Sequence, residues 1–437
     1  MRVCVVGIGK IGLPIALQIT SKGHSVVGAD INKSLIDIVL AGREPFPGEA
    51  QLVEKLNHAL QQGLFDATTD TASAVSDCDA VVVAVPLVVD QANRPDFCAL
   101  DAATTAIAEG LTPGSLVSFE TTVPVGTTRE RFAPVLEAAN GLTTGEDLFV
   151  CFSPERVLSG RIFADLRKYP KIVGGVDEPS TARGREFYEA VLDFDEREDL
   201  PRENGVWAVE SSETAEFVKL AETTYRDVNI ALANEFGQFA DRAGINFDSV
   251  IAAANSQPYS HLHHPGIAVG GHCIPVYPHL YMWNDREARI PRTARQVNSS
   301  MPAYAVERLA ELTGGLNGQI VVVLGAAYRG DVKEVAFSGV FPIVEELRLH
   351  GAEARVHDPL FSDDELRELG LSPYRMDDAC DSALLQADHA MYSSLLPESL
   401  PGVKAMVDGR GVLDSSAWKS RGVSFAFLGR GDITKVS

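Results

Sequence analysis

The feature that most constrains this chain is a glycine-spaced turn between two β-branched runs. Residues 2–6 (RVCVV) lead into Gly7-Ile8-Gly9-Lys10-Ile11-Gly12, a helical pattern starts at Leu13, and a second run at 25–29 (SVVGA) ends on Asp30, eighteen residues after Gly12. A dinucleotide-binding βαβ unit needs strand, glycine turn, helix, strand and terminal acid in this register. Gly7 permits the tight turn, Gly9 lets the backbone approach a pyrophosphate, and Gly12 lets helix and strand touch. The positive end of the helix then faces the phosphates. Asp30 would accept from a ribose 2′-hydroxyl and repel a 2′-phosphate, which favours NAD over NADP. FAD stays open at this point, as does a glycine turn in an α/β protein that binds no nucleotide.

From the start to about Pro201, short apolar runs alternate with amphipathic stretches, the pattern of a parallel sheet covered by helices. The remaining runs are 80–85 (AVVVAV), 115–120 (SLVSFE), 148–152 (LFVCF) and 171–175 (KIVGG). Six buried strands imply a doubly wound sheet. Beyond Trp207 the period changes, and SSETAEFVKLAETTYRDVNIALANEFGQFADRAG predicts one helix of more than eight turns. Ser211 or Ser212 would cap it, Glu213 and Glu216 lie in its first turns, and Gly244 closes it. So long an amphipathic helix reads as a connector and dimer core. The pattern resets at Gly318, where 319–328 (QIVVVLGAAY), 354–359 (ARVHDP), HAMYSS, KAMVDGR and SFAFLG predict a second α/β sheet. Here Gly325 stands alone and the dinucleotide spacing is not completed. The expected organisation is α/β, with two Rossmann-like doubly wound parallel-sheet domains joined by a long central helix. Its boundaries are a Rossmann domain at 1–204, a helical dimerisation domain at 205–300 and a second Rossmann-like domain at 301–437.

Composition narrows the function. With 437 residues, 45% hydrophobic and 22% charged, the chain suits two or three globular domains. It lacks an apolar span of about 18 residues, and its start leaves no room for a secretory leader, so a cytoplasmic location is expected. The six cysteines (Cys4, Cys78, Cys98, Cys151, Cys273, Cys380) show neither paired nor metal-type spacing. A net charge of −22 opposes binding to nucleic acid or an anionic membrane. A small anionic ligand needs only local donors and is allowed.

The segment Pro265-Gly266-Ile267-Ala268-Val269-Gly270-Gly271-His272-Cys273-Ile274-Pro275 sets a cysteine behind a glycine pair. Backbone amides beside a nucleophilic thiol can form an oxyanion site; a small buried hydrophobe is the other reading. Taken with Ser153-Pro154-Glu155-Arg156 and Glu222-Thr223-Thr224-Tyr225-Arg226-Asp227-Val228-Asn229, this segment makes the chain resemble the UDP-glucose/GDP-mannose dehydrogenase family over nearly its whole length. The branch it looks most similar to acts on UDP-N-acetylmannosamine or UDP-N-acetylglucosamine.

The resemblance implies two NAD-dependent oxidations at C6 of a UDP-sugar, passing through a thiohemiacetal and a thioester on cysteine, in a homodimer or larger homo-oligomer. By motif, Cys273 is the nucleophile, Lys219 stabilises the oxyanions, Glu155 is the base for hydrolysis, and Thr122 lies near the nicotinamide. Cofactor contacts fall to Gly7, Gly9, Ile11, Gly12, Asp30, Val85, Pro86, Thr122 and Lys333. Substrate contacts fall to Glu155, Arg156, Val157, Leu158, Lys219, Asn229 and Gly270. Without the family match, Lys219 reads as a solvated helix lysine, Glu155 as a capping carboxylate, Thr122 as a strand end and Lys333 as a surface lysine. His261, His263 and His264 lie in a loop with no nearby acid, a weak pattern for zinc, and are read as phosphate or subunit contacts.

Two positions depart from the family pattern: Thr223 stands where most members have asparagine, and Tyr277 where most have aspartate. Both positions normally serve the hydrolytic water and the oxyanion, so hydrolysis of the thioester is the step put in question. Oxidation of UDP-glucose, and a site-altered protein that binds nucleotide sugar without completing turnover, are the alternatives. A two-domain 3-hydroxyacid dehydrogenase would lack Cys273 and the second sheet.

Overall fold

Strand β1 (Arg2–Val6) is buried on both faces, and this decides the architecture around it. Val3 and Val5 join one apolar cluster, with Leu13, Leu17, Leu56 and Tyr188; Cys4 and Val6 join another on the opposite face, with Leu100, Ile107 and Leu136. A strand that feeds two cores must lie inside a sheet with helices on both sides. The computed structural model describes residues 1–46, 48–90, 92–158 and 160–431, which divide into two units: Met1–Glu222 with His279–Asp285, and Thr223–Pro278 with Arg286 onwards.

The first unit adds β2 (Ser25–Ala29), β3 (Phe65–Thr68), β4 (Ala80–Val83), a small hairpin of β5 (Val88–Val89) and β6 (Pro95–Asp96), then β7 (Ser115–Phe119), β8 (Leu148–Phe152), β9 (Lys171–Gly175) and β10 (Val206–Ala208). The large sheet runs β10-β9-β8-β7-β4-β1-β2-β3. Its neighbours are parallel except at β8/β9, which pair antiparallel with Cys151 opposite Gly175 and Phe152 opposite Gly174. The second unit carries β11 (Ile320–Leu324), β12 (Glu353–His357), β13 (Ser382–Leu385), β14 (Ala405–Asp408) and β15 (Ser424–Phe427), all parallel, in the order β12-β11-β13-β14-β15. Strand β11, paired on both sides, repeats the logic of β1: Val321 and Val323 enter one core, Val322 and Leu324 the other.

The doubly wound, two-sheet architecture agrees with expectation, and several local readings need correction. Residues 171–175 form a buried strand, but it runs against β8. HAMYSS is a 3₁₀ turn (Ala390–Ser394) and not a strand, because Tyr392 is buried and its hydroxyl donates to the His357 carbonyl at 3.0 Å. The strand of that region is the preceding β13, an apolar SALL run whose short length hid it. Strands β3 and β10 were also missed, one for its alternating polar residues and one for its three-residue length.

The long helix spans Ser212–Ala243. Ser211 caps it, accepting from the Thr214 amide at 3.2 Å, and Gly244 follows at φ +69°. In its second-unit part, Asp227 is fully buried and takes Arg295 at 2.6 Å and the Asn298 amide at 2.8 Å. Asn298 in turn accepts from Asn234, whose carbonyl oxygen receives the Gly266 amide at 2.9 Å. Polar residues inside the helix thus pin the start of the segment that carries Cys273. Burial pushes the Asp227 carboxyl above its ordinary value even with Arg295 opposite, so the pair holds geometry more than it adds stability. Asp227→Ala strands a buried guanidinium. It should lower the unfolding free energy by about 3 kcal/mol in denaturant titrations, with part of the loss recovered in Asp227→Ala/Arg295→Met. A loss below about 1 kcal/mol, the size of an exposed pair, would contradict this role.

Candidate active site

Strand order reverses between β1 and β4, and in an open α/β sheet such a switch point opens a crevice at the carboxyl ends of the strands. Gly7 turns there at φ +86°, its amide on the Ala29 carbonyl at 2.8 Å. A Cβ on Gly7 would stand 3.0 Å from Ala84 and Val85 backbone atoms, and one on Gly12 would stand 1.9 Å from the Gly7 oxygen. Gly9 has no atom within 4 Å of that position and leaves its backbone open to a ligand. The helix Gly12–Ser21, preceded by Ile11, has no acid in its first turn. Asp30 accepts from the Ile8 amide at 3.1 Å and the Asn32 amide at 2.9 Å, which fixes its carboxylate at the rim of the loop. These residues fit a dinucleotide.

Val85 and Pro86 follow β4, and the Thr121 hydroxyl donates to the Val85 carbonyl at 2.6 Å, drawing the end of β7 and the buried Thr122 to the same edge. The loop after Thr122 is clamped twice. Asn284 bonds both backbone groups of Val125, at 2.8 and 3.0 Å, and Glu216 accepts from the amides of Gly126 and Thr128 at 2.6 and 2.8 Å. Burial, opposed by these donors, pushes the Glu216 carboxyl up to about 7.

Past the end of β8, Glu155 meets Lys171. Antiparallel pairing brings the two to one edge, since the Cys151–Gly175 register, continued past the end of β8, sets 155 opposite 171. The Lys171 ammonium, only 6% exposed, lies 2.8 Å from Glu155 and 2.8 Å from Glu120 at the end of β7. Burial works against the charged form of Glu155, but the ammonium, the hydrogen bond from Glu120 and the Arg156 amide outweigh it, and the carboxyl is held below its ordinary value. Glu222 joins this segment to the long helix, taking Arg156 on one oxygen at 3.1 Å and Lys219 on the other at 3.3 Å. Lys219 is a buried lysine, not a solvated one. Val157 is half-buried, and Leu158 is exposed with its amide on Asp165.

In the second unit, Cys273 is half-buried, and its carbonyl accepts from the Tyr277 amide at 2.9 Å, opening the helix Tyr277–Asn284. Gly270 and Gly271 serve packing: a Cβ on either would strike Tyr328, at 2.6 and 3.1 Å, and the Gly271 amide is bonded to the Ala336 carbonyl. Thr223 is buried and Tyr277 half-buried. The Asn229 side chain donates back to the Tyr225 carbonyl at 2.7 Å. Lys333 pairs with Glu365 at 2.5 Å and lies over Phe361. His264 approaches Asp248 at 3.1 Å. No described helix is long and apolar enough to cross a membrane.

Sequence reading missed Glu120, Lys171, Glu216 and Asn284 in the first unit and Arg410 in the second. Arg410, half-buried, spends its guanidinium on the carbonyls of Gln386 and Tyr328, at 2.6 and 3.1 Å, and desolvation lowers its pKa against the pull of Asp388 and Asp408. For Glu120 and Lys171 the available signal was a charged residue closing or opening an otherwise apolar strand.

Fold and site together define a dinucleotide-dependent dehydrogenase built from Rossmann-like units. Three family models match in chain order: the NAD binding domain of the UDP-glucose/GDP-mannose dehydrogenase family at 1–192, its central domain at 213–300 and its UDP binding domain at 322–415. A UDP-N-acetyl-D-mannosamine dehydrogenase of Pyrococcus horikoshii is 35% identical over 99% of this chain and all of that protein. The solved structure of a UDP-D-ManNAc dehydrogenase from Pyrococcus horikoshii superposes with a TM-score of 0.87 at 32% identity, covering 99% of this chain and all of that one. A UDP-glucose dehydrogenase from Pyrobaculum islandicum gives 0.85 at 27% identity, covering 98% of each chain. The chain belongs to the UDP-glucose/GDP-mannose dehydrogenase family. It is an NAD-dependent UDP-sugar dehydrogenase.

Gly12→Val would force β1 and its helix apart and should weaken NAD binding at least about tenfold by calorimetry, a loss of about 1.4 kcal/mol. Asp30→Ala should instead keep NAD binding measurable and narrow the preference over NADP, read as the ratio of kcat/KM for the two cofactors. Equal use of both cofactors by the unaltered enzyme would refute the role of Asp30.

Proposed function

We propose that the chain oxidises the C6 alcohol of a UDP-N-acetylhexosamine, with UDP-N-acetylmannosamine the first candidate, to the carboxylate in two successive steps. The names of its relatives support the sugar, and one structural observation carries the chemistry: Glu155, held as an anion in a buried setting, is linked through Arg156 and Glu222 to the buried Lys219. A fixed ammonium lowers the cost of alkoxide character at a reacting oxygen, and a fixed carboxylate can take a proton from water. When bound, NAD supplies the acceptor for the hydride lost in each oxidation. Lys219 holds the developing charge on the sugar oxygen, with Thr122 beside the transferred hydride. Cys273 adds its sulfur to the aldehyde carbon, and the second oxidation leaves an acyl thioester on Sγ. Glu155 then takes a proton from water as the carbon–oxygen bond forms, the carbon–sulfur bond breaks and the thiolate departs.

The other cysteines support the choice of Cys273. Cys4, Cys78, Cys151 and Cys380 are buried, and the hydrogen bond to Asp96 raises the thiol of exposed Cys98 above its ordinary value. A thiol so biased is a poor nucleophile. Arg156, Val157, Leu158, Asn229, Gly270, Lys333 and Arg410 are proposed to contact the sugar nucleotide or cofactor in the bound state. The proposed organisation is an NAD-binding domain at 1–204, a helical domain at 205–300 and a UDP-sugar domain at 301–437. We assign dimerisation to the long helix, on which Tyr225, Leu232, Phe236 and Phe239 are exposed at spacings of one helical stripe.

Purified enzyme given UDP-N-acetylmannosamine and NAD should release two NADH per sugar, and turnover confined to UDP-glucose would redirect the assignment. Cys273→Ser should cut uronate formation by about a hundredfold or more while retaining both ligands. Since Tyr277 replaces the usual acid, the unaltered enzyme should accumulate an acyl adduct at Cys273, visible by mass spectrometry after acid quench, and Tyr277→Asp should shorten its life. Full uronate production by Cys273→Ala would end the covalent route. Phe236→Glu with Phe239→Glu should convert a dimer to monomer by light scattering; a monomer before substitution would refute the interface.

A further inference from the structure

Glu120 has no part in the chemistry above, yet it is a fully enclosed carboxyl on the same ammonium as Glu155. Its side chain is 1% exposed, with one oxygen 2.8 Å from the Lys171 ammonium and the other accepting from the Tyr188 hydroxyl at 2.6 Å. Tyr188 meets the Ser118 hydroxyl at 2.7 Å, and Tyr188 and Ser118 are themselves buried. The chain of hydroxyls therefore ends inside the protein: Glu120 can hold a proton but has no path along it to solvent. The titratable groups facing it are Lys171 from β9, Glu155 from the loop after β8, Tyr188 from the helix Glu178–Val191 and Cys151 from β8.

Three groups of charge +1, −1 and −1 cannot all stay charged in so dry a place without a net buried anion. The single ammonium is within reach of two carboxyls, and whichever is neutral leaves the ammonium to the other. We propose that Glu120 is a positioning residue for the base Glu155, sharing Lys171 with it and setting, by its own charge, how strongly Glu155 draws a proton from the hydrolytic water. This rests on the reading of Glu155 as base. Glu120 acts on the water only through Lys171 and Glu155.

Desolvation pushes the Glu120 carboxyl up, against the pull of Lys171 and with the help of Glu155, to about 7. Below that pH Glu120 is neutral, and Lys171 holds Glu155 as a weak base. As pH rises through it, Glu120 ionises and competes for the ammonium, and Glu155 becomes the stronger base. An added carboxylate at this distance raises a neighbour's basicity, which a Brønsted dependence turns into about a three- to tenfold faster proton transfer.

The test is the decay of the Cys273 acyl adduct in single turnovers with UDP-N-acetylmannosamine and saturating NAD, by acid quench, from pH 5.5 to 9. The unaltered enzyme should show a limb near neutral pH on which decay accelerates about fivefold. Glu120→Gln, fixed in charge, should lose that limb and give a nearly flat ratio between high and low pH. Glu120→Asp should restore it. Tyr188→Phe removes a donor that favours the charged carboxyl, so its limb should move to higher pH, which keeps the test open if Glu120→Gln folds poorly. A limb unchanged in Glu120→Gln, with decay abolished in Glu155→Gln, would overturn this proposal alone. Decay that persists in Glu155→Gln would overturn the base assignment and this proposal with it.

Discussion

The first unit depends on a lysine placed between two carboxylates where β7, β8 and β9 end or begin at one edge. A buried ammonium is tolerated only with a charged partner in hydrogen-bond contact, and losing both carboxylates would leave an uncompensated charge in low dielectric. Lys171 therefore demands that β9 enter the sheet with its first residue at the edge where β7 and β8 deliver their last. Only an antiparallel β9 does this; a parallel strand would carry Lys171 to the opposite edge. The reversal of one strand is thus tied to the placement of Glu155, and Glu155 is tied through Arg156 and Glu222 to Lys219.

The two sheets use similar turns for different ends, and the difference lies in who receives the backbone amides. After β1, Asp30 takes the Ile8 amide, and Gly9 faces open space. After β11, the buried Asp358 carboxylate takes the amides of both Ala326 and Ala327 and a further bond from His389, while a Cβ on Gly325 would stand 2.4 Å from Ala387. Asp358 thus takes two loop amides where Asp30 takes one.

The polar residues of the long helix show why helical periodicity under-describes a site. Glu216 and Asp227 read as parts of an amphipathic pattern, yet each is a buried anchor, one for the loop that follows Thr122 and the other for the arginine and asparagine that steady Gly266. Their burial comes from neighbours distant in sequence, Thr128 and Arg295 among them, which no local pattern reveals.

What the chain alone determined is what depends on neighbours along it. The glycine turn with its following acid, the long helix between Ser211 and Gly244, two sheets of buried strands and the cysteine motif are all local in origin, since turn sterics, capping and hydrophobic period act within a few residues. Tertiary structure decided the rest. It turned β9 around, assigned the strand to SALL in place of HAMYSS, and spent the Gly271 amide on Ala336. It also gathered Glu120, Glu155 and Lys171 from three strand ends. Those outcomes turn on desolvation and on which buried charge or amide finds which partner, and both are properties of the packed interior.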